Sequence, residues 1–268
     1  MSTITETPTT PTTRTNRSTA LSRTTSLGRA EWLQFRRNRT LLFMAFVMPV
    51  VFPVGAYFLL RGSGSEDFAT ASAAEIFLLF ALTLVQFYSV LSMATTRRDE
   101  KVLKRLRTGE ARDREILTAI CLPGSLVTLI LSVVFVAVKT LAGAPLPNTP
   151  LPMISSVVLG LVISSALALI TSGFTQNAEA AQITSLPVIM LAMGSQAAVR
   201  DLLPDGVARL LDLTPFAVAS DLMQVGWIGT TTAGDPDNGT WRLFLVLILW
   251  AMAAVWAAGR TMRWDSHR

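Results

Sequence analysis

Six stretches of this chain contain no Asp, Glu, Lys, Arg or His: about 41–60, 76–96, 116–138, 153–173, 183–199 and 243–259. Apolar runs of roughly 20 residues match a hydrocarbon core of about 30 Å at a rise of about 1.5 Å per residue. Backbone surrounded by lipid must satisfy its hydrogen bonds within its own segment, so each run should be a helix. A β-barrel is excluded, because the runs lack the alternation of a barrel strand. Only 15% of the residues are charged, against about 25% in a typical soluble domain. The expected fold is all-α: a polytopic membrane protein of six transmembrane helices in one integrated domain.

The charges between these stretches are sorted. If the N-terminus, the second and fourth connections and the C-terminus share one side, that side collects 18 of the 23 basic residues. The other side holds Arg61, Lys139, Arg200, Arg209 and Arg242. Positive charge in short flanks is retained in the cytoplasm, so both termini are expected in the cytosol. The same distribution argues against nucleic acid as the partner of this basic chain (pI about 10.1). Its basic clusters all flank apolar segments, where they orient the chain and contact anionic membrane lipids.

Much chemistry is excluded by composition. The one cysteine, Cys121, lies inside the third stretch, and the one histidine, His267, is next to last. No disulfide framework, cysteine metal site or histidine-dependent hydrolysis can be built from them. The sequence contains no phosphate-binding G-x-x-x-x-G-K-[ST], no G-x-S-x-G and no H-E-x-x-H. The apolar cores carry no ionisable group, whereas ion-coupled carriers place such groups at depth. Glu75 precedes the second stretch and is assigned to the interface rather than to the membrane interior. Energy for uphill transport should therefore enter through a cytosolic surface.

Along the chain, residues 1–26 are rich in Thr, Ser and Pro and are expected to be a disordered cytosolic tail. Residues 27–262 form the transmembrane domain, and 263–268 a short cytosolic tail. Leu27, Ala30, Trp32, Leu33 and Phe35 interleave with Arg29, Arg36, Arg37 and Arg39. That pattern suits an amphipathic helix in the membrane interface; a plain basic flank of the first span is the alternative. Arg97 to Glu115 holds eight basic and five acidic residues. Within it Val102, Leu103 and Leu106 share one face of a short helix. Such a loop is either a solvated hairpin or a docking surface for a soluble protein. Two short amphipathic helices, Val207–Leu213 and Phe216–Trp227, are expected at the outer surface, separated at Thr214-Pro215, with partial re-entry into the membrane as the alternative.

Taken together, residues 27–262 resemble the permease subunits of ABC-2-type exporters. The stretch RRDEKVLKRLRTGEARDREIL resembles the family's basic first cytosolic loop, with Leu103 to Gly109 in its core. LLPDGVARLLDLTPFAVASDLMQ resembles the later pattern of two proline turns and helices, with Thr214 where the family commonly has asparagine.

The resemblance implies a permease that pairs with a second copy or a paralogue, above two cytosolic ABC ATPase subunits. No cofactor is expected in this chain; ATP and Mg belong to the ATPase. The coupling role maps to Lys101, Val102, Leu103, Arg105, Leu106 and Arg107, with a smaller second contact at Phe174, Gln176, Asn177 and Glu179. The outward path in the family lies near the first, second and fifth spans, and Phe43, Phe46, Gln86 and Met190 are its candidate residues here. Cargo exported by the family includes drugs, antibiotics, lipids and polysaccharides. A hydrophobic or amphipathic cargo suits these spans, and a bacterial plasma membrane is the expected location. The competing reading is an ATP-independent scaffold or channel. A membrane-embedded enzyme lacks its catalytic groups.

Overall fold

The computed structural model describes residues 29, 32, 33, 37, 39, 43, 46–62, 65–100, 113–229 and 236–261. The two tails and the segment 101–112 lie outside the described residues, as does most of 27–39. Among the described residues the structure is helical and contains no strand.

The elements are α1 (Met48–Leu60), α2 (Glu66–Asp99), α3 (Asp113–Leu141), α4 (Pro150–Phe174), α5 (Ala180–Thr184), α6 (Leu186–Gly194), α7 (Ala197–Arg200), α8 (Asp205–Asp212), α9 (Pro215–Ile228) and α10 (Pro236–Thr261). Four helices among the described residues are long and apolar enough to cross a membrane: Glu66–Asp99, Glu115–Leu141, Pro150–Phe174 and Gly239–Thr261. The 25 residues of α4 extend about 38 Å, more than the hydrocarbon core requires. The first and fifth apolar stretches are shorter helices, Met48–Leu60 and Ala180–Gly194.

Local sequence explains the breaks. Ser65 caps α2, its Oγ accepting from the Phe68 amide at 3.2 Å, and Glu66 and Asp67 follow in the first turn. Oxygen at the cap and negative charge in the first turn both satisfy a helix N-terminus. Pro187 interrupts the fifth stretch after Ser185; it has no amide proton for the carbonyl four residues back. Thr214 caps α9 by accepting from the Ala217 amide at 3.3 Å, with Pro215 at the first position. Gly229 closes α9 at φ +80°, a conformation that glycine adopts without steric cost.

The long helices alternate in direction. At one end the last turn of α3 meets the end of α1, the start of α2 and the end of α9, since the Lys139 Nζ donates to the Thr70 carbonyl at 2.9 Å and lies 4.5 Å from the Trp227 ring. The start of α4 joins this end, where the Thr149 amide donates to the Gly226 carbonyl at 3.0 Å. The ends of α2, α4 and α10 meet at the other. Small residues allow the close approaches: a Cβ on Gly173 would lie 3.0 Å from the Thr261 carbonyl oxygen, and one on Gly160 2.6 Å from Leu82.

The α8 and α9 pair departs from the reading of two surface amphipathic helices. The helices separate at Thr214-Pro215 as expected, and α8 has no buried residue. In contrast, α9 is buried along nearly its whole length and packs against α2, α4 and α10. Its apolar residues surround the helix instead of forming one stripe, which is the pattern of a core helix.

Candidate functional site

Midway along α2, residues Ala81–Tyr88 form a π-helical segment, a rare geometry that concentrates at functional positions. Gln86 lies in it and is fully buried. Its amide donates to the Ser165 Oγ at 2.6 Å and the Cys121 carbonyl at 3.3 Å, tying α2 to α4 and α3. The Gln86 Oε1 accepts no hydrogen bond among the described residues, and a Cβ on Gly124 would come within 2.7 Å of it.

Ser165 and Cys121 line a cavity of about 760 Å³ between α3, α4 and α10, bounded also by Leu117, Leu161, Leu169 and Trp256. A second cavity of about 720 Å³ lies farther along the same pair of helices, against Phe77, Val133, Phe135, Ile154, Met223 and Trp227. Its two hydroxyl-bearing residues, Ser132 and Thr140, donate to carbonyls of their own helix at 2.8 and 2.9 Å. The wall therefore presents hydrocarbon and aromatic faces. Phe77 and Phe135 stack with centroids 4.4 Å apart.

Three buried charges gather toward the Lys139 end. Lys139 is 1% exposed and is surrounded by the rings of Trp227, Tyr57 and Phe135 at 4.5, 4.9 and 5.7 Å. Ring faces attract an ammonium and partly replace its lost water. Glu75 is 3% exposed, enclosed by the packed helices rather than open to water. Its Oε1 accepts from the Ser220 hydroxyl at 2.7 Å and from the Gln224 amide. Ser220 lies 145 residues away in sequence, so no local pattern announces the contact.

Arg200, 9% exposed, joins Asp212 at 2.5 Å and Asp221, clamping α7 to α8 and α9. Burial opposes the Arg200 charge, but the hydrogen bonds and charges of Asp221 and Asp212 outweigh it and hold the guanidinium above its ordinary value. Burial pushes the Asp221 carboxyl up, against the opposing pull of Arg200.

At the other end Phe174, Gln176, Asn177 and Glu179 share one turn between α4 and α5, with Phe174 66% exposed. The Asn177 Oδ1 accepts from the Ala180 amide at 2.7 Å and starts α5. Lys101, Val102, Leu103, Arg105, Leu106 and Arg107 lie outside the described residues. Of the residues assigned to the outward path, Phe43, Phe46 and Met190 are exposed, at 54%, 41% and 63%, while Gln86 is enclosed. The π-segment packs against α6, which carries Met190. Among the described residues no group of His, Cys, Asp and Glu could hold a metal ion.

A family model described as ABC-2 type transporter matches residues 23–226, three quarters of the chain and every long helix except α10. The chain belongs to the ABC-2 type transporter family. No curated protein matches it. As an ABC-2 membrane domain this is a multi-pass transport component, from a family that works with an ATPase subunit, and the domain is not itself catalytic.

Glu75 gives a direct check on the energy source. Glu75→Gln retains an acceptor for Ser220 and Gln224 and should leave folding and transport near wild type. Glu75→Leu strands both donors, at about 1–3 kcal/mol for each unsatisfied group, and should lower the detergent-solubilised melting temperature. A well-folded Glu75→Gln protein that no longer transports would indicate ion coupling at this carboxyl.

Proposed function

We propose that this chain is the membrane-spanning subunit of an ATP-driven exporter that moves hydrophobic or amphipathic molecules, drug-, antibiotic- or lipid-like, out of a bacterial cytoplasm. The family match over residues 23–226, in a sequence with no phosphate-binding loop, carries the proposal. A separate cytosolic ATPase supplies the fuel and binds ATP and Mg. The apolar cavity bounded by Phe77, Phe135 and Trp227 supports a hydrophobic cargo, since a pocket lined by rings and alkyl groups recognises similar surface.

In this reading the chain crosses the membrane six times, with α1 and the α5–α6 pair as the short first and fifth crossings. The charge sorting puts both termini, the 101–112 segment and the Arg98 end in the cytosol. The Lys139 end faces outward. Two copies, or this chain and a paralogue, form the complete transmembrane unit. The turn of Phe174, Gln176, Asn177 and Glu179 is the smaller ATPase contact, beside the main one at 101–107. Phe43, Phe46, Gln86 and Met190 remain the residues assigned to the cargo path.

Reporter fusions test the topology together with reconstitution. A cytosol-active reporter inserted near Thr108 should give signal, and the same reporter near Gly206 should give none. The purified chain alone should neither hydrolyse ATP nor move a fluorescent lipid analogue along an ion gradient. Adding the ATPase should establish ATP-dependent movement. Gradient-driven flux by the chain alone ends the reading in favour of a self-sufficient carrier.

A further inference from the structure

Arg98 is among the largest fully buried side chains, 2% exposed, although it belongs to the final turn of α2. A guanidinium normally stays in water, and burying one costs several kcal/mol unless its donors are matched. Here the two terminal nitrogens meet the end of another helix. One terminal nitrogen donates to the Ser172 carbonyl at 2.5 Å. The other donates to the Thr175 carbonyl and, at 3.5 Å, to that of Gln176. The Ser172 and Thr175 carbonyls are among those that a helix leaves unsatisfied at its C-terminus, where its dipole also favours positive charge. The last turn of α4 has no basic residue of its own, so its cap comes from a residue 74 positions earlier in the chain.

The contact reaches further than a cap. The Thr175 Oγ1 lies 2.9 Å from the Thr184 Oγ1 of α5, so the grip extends across the turn that holds Asn177 and Glu179. Adjacent Gly173 packs closely on the last residue of α10. On the α2 side the described residues stop at Glu100, two positions beyond Arg98. Arg97 lies 3.9 Å from Glu100. Arg98 therefore bridges the end of α2, from which the first cytosolic connection departs, to the end of α4, from which the second departs.

We propose that Arg98 is the positioning residue that makes the two cytosolic connections move as one unit, so that ATPase movement received at either reaches α2 and α4 together. This rests on the transporter reading above. A planar fork suits the role, because it holds several carbonyls in one geometry, whereas a lysine offers a single mobile point of attachment. Arg98 is not required for ATPase binding.

Cys121 supplies a reporter that needs no knowledge of the cargo. It is the chain's one cysteine and lines the cavity between α3, α4 and α10. In the full complex with its ATPase, the rate of N-ethylmaleimide labelling at Cys121 should change several-fold when ATP and vanadate trap the closed state. Arg98→Ala should retain ATPase co-purification and most basal ATP hydrolysis, while Cys121 labels at the nucleotide-free rate throughout. Arg98→Lys should give an intermediate response, and it keeps the experiment informative if the alanine variant fails to assemble. A full nucleotide-dependent change in an assembled Arg98→Ala complex, or in Arg98→Lys if only that assembles, overturns the proposal and leaves Arg98 as a helix cap. So does loss of ATPase co-purification from a well-inserted Arg98→Lys. If the wild-type complex hydrolyses ATP but shows no nucleotide effect at Cys121, the tie alone is overturned; if it neither hydrolyses ATP nor shows that effect, the ATP-coupled reading itself has failed.

Discussion

Aspartate at both Leu103 and Leu106 should abolish co-purification of the ATPase subunit and with it all ATP-dependent transport, while membrane insertion stays normal. The two leucines follow one another at helical spacing, with Val102 beside them. In a helix over this stretch, their apolar face would be flanked by Lys101, Arg105 and Arg107, as an anchor rimmed by charge requires. Apolar anchors at the centre of an interface are each worth about 2 kcal/mol or more, and two together correspond to roughly a thousandfold in affinity. An aspartate in each place also carries an unpaired charge into the contact, which adds a desolvation penalty. Rim substitutions at Lys101 or Arg107 should mainly slow association and increase its sensitivity to salt. The measurement is affinity purification of the permease followed by quantification of bound ATPase. Wild-type levels of ATPase on the double variant would remove residues 101–107 from the coupling role.

The second large effect is expected at Arg200. Arg200→Ala leaves Asp221, whose side chain is only 14% exposed, without its partner. Breaking a buried pair from one side costs about 3–5 kcal/mol, a large fraction of a typical folding free energy. The loss should fall on the α7–α9 region, because Arg200 connects those three helices. Replacing Arg200 and Asp221 together by leucine should recover most of the loss, since no uncompensated charge then remains inside. Thermal unfolding in detergent of the wild type, Arg200→Leu, Asp221→Leu and the double leucine variant forms a double-mutant cycle and isolates the coupling. Additive losses from the single variants would mean that the pair contributes nothing specific. Asp212, half exposed, should matter far less, because solvent screens exposed pairs.

These two predictions draw on different levels of information. The Leu103 and Leu106 argument needs only the order of residues, because the spacing of apolar positions along a short helix is a local property. The Arg200 argument depends on residues 12 and 21 positions away meeting in space, and no period in the chain indicates that. Glu75 shows the difference most sharply. Next to an apolar run, a carboxylate is ordinarily read as an interfacial boundary, and the reading is sound for an isolated helix. What the order of residues does not show is that α9 folds back into the bundle and brings Ser220 and Gln224 to the carboxylate. Lys139 follows the same logic: its aromatic surroundings include rings from α1 and α9 as well as from its own helix. Arg98 counts by its position among the orienting positive charges of its loop, whereas its side chain is committed to the end of α4.

The order of amino acids alone determined that the chain is helical and that its long apolar segments belong in a bilayer, because those outcomes follow from composition over a run of about 20 residues and from the lack of water to satisfy an open backbone. Charge sorting and the break at Thr214-Pro215 were equally local. Tertiary structure decided which polar groups are buried and what compensates them. Desolvation depends on every helix that packs around a side chain, and the helices that enclose Glu75, Arg98, Lys139 and Arg200 come from distant parts of the chain.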